Sequence, residues 1–208
     1  MEDILEVYKR PYDPKRPQIC MDEVNTQLLK EKREPIEQKP GKVRREDYEY
    51  EREGVCNVFL AVEPLSGRRF TQVRVQRTRQ DWACFMREML DVHYSHAEKV
   101  VLVVDNLNTH TPASFYEVFA PQEARRLTEK LEIHYTPKHG SWLNMAEIEL
   151  SVLDRQVLDQ RLNSLEHANQ EVEAWQERRN QEQAKISWRF TTQDARIKLL
   201  RLYPSLQN

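Results

Sequence analysis

Apolar residues along the chain recur with two different periods, which predict alternating strands and helices. β-rich or aliphatic stretches predict five strands, at residues 18–21, 54–62, 68–75, 99–104 and 131–135. Helical spacing marks four further segments, at residues 81–96, 113–130 with a break at Pro121, 143–157, and onward from Ser164. The turn residues Pro64 to Gly67 make the second and third strands a hairpin. This order of elements predicts an α/β fold, a mixed sheet flanked by helices.

The length of 208 residues suits one domain with an appendage. We expect residues 1–17 to be an N-terminal lead-in, residues 18–162 to form the main domain with a basic loop at 24–53, and residues 163–208 to be a C-terminal helical extension packed on the same domain. The three cysteines include no C-x-x-C, which argues against a disulfide framework and a cysteine zinc site. The longest aliphatic run, Val100 to Val104, is too short to span a bilayer, so we expect a soluble cytoplasmic protein without a membrane partner.

The overall charge excludes a uniformly basic nucleic-acid binder, because 34 Asp and Glu residues outnumber 32 Lys and Arg residues. Positive charge is nevertheless concentrated in three stretches, at residues 30–45, 66–80 and 185–201. A nucleic acid would therefore have to be held by local patches. The candidate contacts in the first two stretches are Lys42, Arg44, Arg45, Arg68 and Arg69.

Three carboxylates occupy positions at which an α/β sheet presents functional groups. Asp22 follows the first strand, Asp105 follows the central aliphatic strand, and Glu147 lies in the first turns of the long helix. Converging carboxylates repel one another, and a divalent cation such as Mg²⁺ or Mn²⁺ relieves that repulsion. Two such ions activate an attacking water or 3′-hydroxyl at a phosphodiester, so the pattern indicates metal-dependent phosphoryl transfer.

Each of these carboxylates also has a structural interpretation. An acid at a strand end often caps the next turn, which applies to Asp22 and Asp105. Asn144-x-x-Glu147 has the spacing of a capping box. Glu149 is a rival for the catalytic position, but two residues along a helix correspond to about 200° around it, so only one of the two acids faces a given site.

Further residues near the acids have side chains suited to phosphates or bases. Lys138 lies on a turn restricted by the preceding proline, and it suits phosphate contact better than an average surface lysine. His110 and His139 are candidates for holding a phosphate or for a structural hydrogen bond. Trp142 is a candidate for stacking on a base or for packing against the start of the helix.

Two segments of the sequence closely resemble one protein family. Residues 103–110 (VVDNLNTH) and 134–147 (HYTPKHGSWLNMAE) are similar to bacterial insertion-sequence transposases of the family numbered six hundred and thirty, DDE superfamily endonucleases related to the mariner elements. Residues 20–23 and 188–196 also resemble that family. The resemblance implies a ribonuclease H-like catalytic domain in which Asp22, Asp105 and Glu147 hold two Mg²⁺ ions, with Mn²⁺ as a substitute.

The same resemblance implies DNA transposition. Such an enzyme cleaves double-stranded DNA at transposon ends and joins the freed 3′-hydroxyl to target DNA, typically at a TA dinucleotide, as a homodimer that pairs two ends. In a bacterial cell it would be cytoplasmic, and nucleoid-associated when bound to DNA. The residues implied to support the catalytic acids are Glu23, Asn106, His110, Trp142 and Asn144. The residues expected at the DNA are Arg68, Arg69, Lys138, His139, Lys42, Arg44 and Arg45.

The resemblance implies a helix-turn-helix region ahead of the catalytic domain. The sequence predicts no recognition helix upstream of Asp22. We therefore expect that region to come from a separate or upstream segment. A catalytically silent remnant that only binds DNA or dimerises is an alternative function. A ribonuclease H-like nuclease acting on RNA or on RNA–DNA hybrids is another, because the fold is shared among such enzymes.

Overall fold

The computed structural model describes residues 1–32 and 49–203, which are built around one five-stranded sheet. The strands are β1 (Gln18–Glu31), β2 (Tyr50–Glu63), β3 (Arg68–Arg74), β4 (Val100–Val104) and β5 (Leu131–Tyr135), in the spatial order β3-β2-β1-β4-β5. β2 runs antiparallel to both β1 and β3, whereas β4 is parallel to both β1 and β5. The predicted mixed sheet is confirmed.

Helices cover both faces of this sheet, as predicted. They are α1 (Glu2–Tyr8), α2 (Arg79–Glu88), α3 (Ala113–Val118), α4 (Pro121–Lys130), α5 (Ala146–Leu153), α6 (Leu165–Gln181) and α7 (Thr192–Lys198). α1, α5, α6 and α7 pack on one face, and α2, α3 and α4 pack on the other. π-helical turns follow α2 and α5, at Met89–His93 and Asp154–Leu158, and 3-10 turns lie at Ser141–Leu143 and Leu200–Leu202.

The two faces of the sheet are buried in separate hydrophobic clusters. Along β1, Cys20 lies in the cluster under α5 and α6, whereas Ile19 and Met21 lie in the cluster under α2 and α3, as the two-residue period of a strand requires. All of β4 is buried, because both faces of this strand are covered. This two-sided burial is the reason that β4 is an uninterrupted aliphatic run in the sequence.

The predicted start of one helix is confirmed, and that of another was placed too late. Ser164 caps α6 through its side chain, as predicted, whereas α2 begins at Arg79 and not at residue 81, because Thr78 forms a capping box with Asp81. Pro121 occupies the first turn of α4 and separates it from α3 at the predicted break. The helix predicted over 143–157 is shorter than expected, because α5 ends at Leu153 and a π-helical turn follows it.

The structure corrects the bounds of the basic loop expected at residues 24–53. β1 continues to Glu31 and β2 begins at Tyr50, so both ends of this range belong to an antiparallel pair, whose ladder satisfies the backbone groups of β1 beyond the end of its pairing with β4. Leu28 is buried in that extension. The basic residues Lys42, Arg44 and Arg45 lie within residues 33–48, outside the residues that the structure describes.

The structure also corrects the description of residues 1–17 as a lead-in. This segment contains α1, whose residues Ile4, Leu5 and Val7 are buried in the same cluster as Cys20. The apolar side of α1 is therefore part of the core of the main domain. Among the described residues, no helix is both long and apolar enough to cross a membrane.

Candidate active site

The parallel pair of β1 and β4 brings Asp22 and Asp105 to the same level of the sheet. Cys20 of β1 is paired with Val103 of β4, and each aspartate lies two residues further along its chain. Asp22 therefore lies on the sheet face that carries Cys20, which is the face covered by α5, and Asp105 directly follows the end of β4. Asp22 lies inside β1, opposite Leu60 of β2, and not at the end of a strand as predicted.

Asn144 connects the start of α5 to this part of the sheet through hydrogen bonds of its side chain. Its buried Nδ2 donates to the Met21 carbonyl at 2.9 Å and lies 3.4 Å from Asp22 Oδ2, and its Oδ1 accepts from the Ala146 N–H at 3.2 Å. The Glu147 N–H donates to the Asn144 carbonyl at 3.1 Å, so Glu147 enters the site from this turn. Within the described residues, the predicted capping box is not formed, because α5 has no side-chain hydrogen bond at its N-cap.

Glu147 and Glu149 point away from α5 in different directions, and they differ in solvent exposure and in hydrogen-bond partners. Glu147 is exposed. Glu149 is 1% exposed, and its two carboxylate oxygens accept from Arg69 at 2.7 Å and from Arg179 at 2.8 Å. The structure therefore favours Glu147 over its rival as a ligand-binding acid, since Glu149 is fully engaged in a buried ion pair.

Asp22 is a largely buried carboxylate with other acidic side chains as neighbours. Burial is the largest cause that raises the pKa of Asp22, to about 7, although the Glu23 N–H donates to its Oδ1 at 2.8 Å and opposes the shift. The charges of Asp105, Glu23 and Glu147 add to the increase. Asp22 therefore has negatively charged neighbours on β1, after β4 and on α5.

His110 is a buried histidine whose ring contacts two of these acids. It is 0% exposed, with Nδ1 2.5 Å from Asp105 Oδ1 and Nε2 3.0 Å from Glu23 Oε2. Burial by itself lowers the pKa of His110, but the hydrogen bond to Asp105 and the charge of Glu23 outweigh burial and raise the pKa to about 9. The hydrogen bond from the His110 ring holds Asp105 Oδ1 in place, and the raised pKa favours a charged ring beside these acids.

Other predicted site residues lie on exposed turns. Asn106 directly follows Asp105 and is exposed, as are Lys138 and His139 on the turn before α5. His139 has a φ of 64°, the left-handed region that few non-glycine residues adopt. Trp142, on the 3-10 turn that leads into α5, is 45% exposed. These side chains are therefore accessible to a ligand that approaches the acids.

The two arginines that begin β3 have opposite surroundings. Arg68 is exposed, with its guanidinium 5.8 Å from the centre of the Tyr94 ring. Arg69 is buried, and it donates to Glu149 at 2.7 Å and to the Gly67 carbonyl at 2.6 Å. The expectation that Arg69 contacts DNA is therefore corrected, because the alternation along β3 turns its side chain toward α5 and α6.

Sequence reasoning did not identify the residues that complete this buried ion pair. Arg179 supplies a second guanidinium to Glu149. Asn180 accepts from the Arg69 N–H at 2.7 Å and donates to the Arg69 carbonyl at 3.0 Å, so its side chain covers the edge of β3. Adjacent polar residues near the end of a helix are ordinary surface residues in a sequence, and no local signal distinguishes these two.

The donor atoms at the site suit a hard divalent cation. Asp22, Asp105 and Glu147 offer carboxylate oxygens, which Mg²⁺ and Mn²⁺ prefer, and the negative charge around Asp22 favours a cation there. In the part of the chain that the structure describes, no three acid, histidine or cysteine side chains are close enough to hold a metal ion as they stand. The acids therefore fit the cation in chemistry and charge, and a shared coordination shell requires them to move closer together.

Sequence comparison matches residues 17–185 to a family described as DDE superfamily endonuclease. This range includes all five strands, the three acids and helices α2 to α6. No curated protein matches the chain.

Solved structures with a similar fold include several complexes of Mos1 transposase. The Mos1 mariner paired end complex with Mn has a TM-score of 0.58 and 17% identity, with coverage of 88% of this chain and 54% of that chain. The Mos1 strand transfer complex has a TM-score of 0.55 and 15% identity, with coverage of 90% and 60%. The chain thus spans little more than half the length of these proteins, and the likeness establishes a ribonuclease H-like fold.

Proposed function

Because the chain belongs to the DDE superfamily endonuclease family, we propose that it is a transposase catalytic domain that uses Mg²⁺ or Mn²⁺ to cleave DNA and transfer the cleaved strand. The observation that carries the proposal is the convergence of Asp22, Asp105 and Glu147 from β1, β4 and α5. Asn144 links Asp22 to the helix of Glu147, because its Nδ2 lies 3.4 Å from Asp22 Oδ2 and its carbonyl accepts from the Glu147 N–H. Family membership supports the reaction class, and this geometry supports the assignment of residues.

The proposed roles follow from the contacts of each side chain. Asp22, Asp105 and Glu147 would hold the metal ions, which when bound polarise a phosphodiester and activate the attacking hydroxyl. Asn144 positions Glu147, because it joins the first turn of α5 to β1. His110 occupies Asp105 Oδ1 and leaves Oδ2 of that carboxylate outside this hydrogen bond.

The proposed substrate is double-stranded DNA at the ends of a mobile element, with a TA dinucleotide as target. Arg68, Lys138 and His139 are the proposed phosphate contacts among the described residues, since all three are exposed. The Mos1 structures are a paired end complex and a strand transfer complex. By analogy with them we propose that two copies of this chain pair two DNA ends.

The test is a nicking assay on a supercoiled plasmid that carries the element's ends, with Mg²⁺, with Mn²⁺ and with EDTA. We expect D105N to lose at least about 100-fold in rate, because metal catalysis supplies several kcal/mol of transition-state stabilisation. D159N removes an exposed acid on the turn after α5 and serves as the matched control, with an unchanged rate expected.

Two results would contradict the proposal. Equal cleavage rates for D105N and the original chain would refute the assignment of Asp105 to the catalytic site. A preference for an RNA–DNA hybrid over duplex DNA would favour the ribonuclease alternative. Failure of the folded original chain to cleave with either metal would favour the silent remnant.

A further inference from the structure

An open groove of about 430 Å³ begins at Glu147 and follows α5. It is lined by Ser141, Trp142, Glu147, Ile148, Ser151 and Arg155. Its volume lies in the range of small-molecule binding sites, about 300–1,000 Å³. One of the proposed catalytic acids therefore shares a cavity with side chains that do not belong to the proposed metal ligands.

Trp142 forms an aromatic wall of this groove. Its ring is nearly parallel to that of Trp188, with an angle of 21° and 6.5 Å between ring centres, and it meets Phe190 edge-on at 5.7 Å. These contacts hold the indole in place, yet 45% of the residue is exposed. An aromatic side chain that is fixed on one side and open on the other offers a stacking surface at a low cost in side-chain entropy.

Ile148, Ser151 and Arg155 continue the groove along one side of α5 and the turn after it. Their spacing of three and four residues places them on the same helical face. Ile148 is 43% exposed, and Arg155 Nε donates to the Ser151 carbonyl at 3.0 Å. Arg155 forms no ion pair with the described residues, so most of its guanidinium N–H groups are open to an anion.

We propose that this groove binds the nucleotide that flanks the scissile phosphodiester, an inference that rests on the proposed function. The base stacks on Trp142 beside Ile148. Arg155 lies about 12 Å along the helix from Glu147, so it binds a neighbouring phosphate of the same strand and not the reacting one. Aromatic stacking combined with a cation that follows the backbone is the general way in which proteins hold unpaired DNA strands without reading their sequence.

Charge identifies a DNA strand as the occupant. An exposed indole and an exposed isoleucine alone would suit a protein partner equally well, but here they lie between an unpaired guanidinium and an acid assigned to phosphodiester chemistry. A DNA strand can place a phosphate on Arg155, a base on Trp142 and a phosphodiester at Glu147 at the same time.

The test uses a short single-stranded oligonucleotide with 2-aminopurine at one position, bound to the full chain in Ca²⁺. Stacking on an aromatic ring quenches 2-aminopurine fluorescence. We expect W142A to bind roughly 10-fold or more weakly and to lose the quenching, because stacking of one base accounts for that much affinity. W142F keeps a stacking ring, and we expect it to retain most of both signals.

Two further variants are matched controls. Y116A removes a tyrosine on α3 that is 51% exposed, and we expect no change in binding or quenching. R155Q and R125Q each remove one exposed positive charge, R125Q from α4. We expect R155Q to weaken binding several-fold and to lower the salt dependence by about one phosphate contact, and R125Q to change neither measurably.

The outcomes separate this inference from the proposed function. Equal affinity and quenching for W142A and the original chain would overturn the groove assignment even if plasmid cleavage depends on Asp105. Loss of quenching in W142A without metal-dependent cleavage by the original chain would support the nucleotide site while refuting the catalytic proposal. A change in sedimentation of W142A with unaltered oligonucleotide binding would assign the groove to a second copy of the chain and overturn the inference.

Discussion

Two charged clusters lie on the same face of the sheet, and both include a glutamate of α5. Burial raises the pKa of Asp22 to about 7, and the charges of Asp105, Glu23 and Glu147 add to the increase. Around Glu149, two guanidinium groups meet one carboxylate. Burial by itself raises the pKa of Glu149, but Arg69 and Arg179 outweigh burial and lower it.

The difference between these clusters is one of compensation. A buried carboxylate whose charge is balanced by protein groups needs nothing further, and its contribution is to hold elements together. Carboxylates that repel one another need a cation from outside the chain. The two clusters therefore show how residues of one type, two positions apart on one helix, serve structure and ligand binding respectively.

The largest expected effect tests this division by removing one charge from each cluster. E149Q leaves Arg69 buried without its partner, and we expect a loss of about 3–5 kcal/mol in the free energy of unfolding. E147Q alters an exposed side chain, and we expect a change within about 0.5 kcal/mol. Urea denaturation followed by circular dichroism measures both, and equal losses would contradict the division.

Metal addition gives the next largest expected effect. A cation that binds only the folded chain adds about 2.7 kcal/mol to the free energy of unfolding at 100 times its Kd. We expect this increase with Mn²⁺ in the original chain, and little or none in D22N. Thermal denaturation across a Mn²⁺ titration measures the shift, with D159N as control. A full shift in D22N would show that the metal binds elsewhere.

Acid should destabilise the Glu149 cluster by a smaller amount. The folded pKa of Glu149 lies below its ordinary value of 4.5, so the unfolded chain binds more protons in this range and stability falls as pH decreases through it. Urea midpoints measured between about pH 6 and pH 3 should therefore fall more steeply for the original chain than for E149Q. Parallel curves would mean that the ion pair contributes no pH dependence.

The smallest expected effect concerns the two exposed cations proposed at the DNA. K138Q should weaken duplex binding modestly and reduce the salt slope by about one, because Lys138 lies on the turn that leads into α5. Arg68 of β3 lies opposite Glu63 of β2 in the sheet, whereas Asp22 of β1 lies opposite Leu60, three residues away along β2. Arg68 is therefore displaced from Asp22 along the strands, and we expect R68Q to have a smaller effect than K138Q. Fluorescence anisotropy at several salt concentrations measures both, and a larger slope change for R68Q would reverse the proposed path of the DNA.

Local patterns predicted much of the fold. The sequence predicted β4, β5, the turn between β2 and β3, and the starts of α4 and α6. These features were predictable because burial, turn residues and caps act over a few positions. The long extension of β1 and β2 was not readable in the same way. Its charged and polar residues resemble a loop, and only the pairing of two distant segments makes them strands.

The candidate site divides similarly. The positions of Asp105 and Glu147 after a strand and at a helix start were sufficient to nominate them. Asn144 was nominated by resemblance, but its bridge from α5 to Met21 depends on elements more than 100 residues apart in the chain. The burial of Arg69 had no sequence signal, because an arginine in a basic stretch has the same local pattern whether it faces solvent or an internal carboxylate.

The sequence by itself determined the order of the central strands and most helices, and it nominated Asp105 and Glu147 from their positions after a strand and at a helix start, because hydrophobic period and residue type act locally. Only the tertiary structure decided which charges are compensated. Coulombic and hydrogen-bond energies depend on distance and burial, and these arise when β1, β4 and α5 meet. The same physics makes Glu149 a structural anchor, leaves Glu147 exposed beside Asp22, and places Trp142 and Arg155 along a single groove.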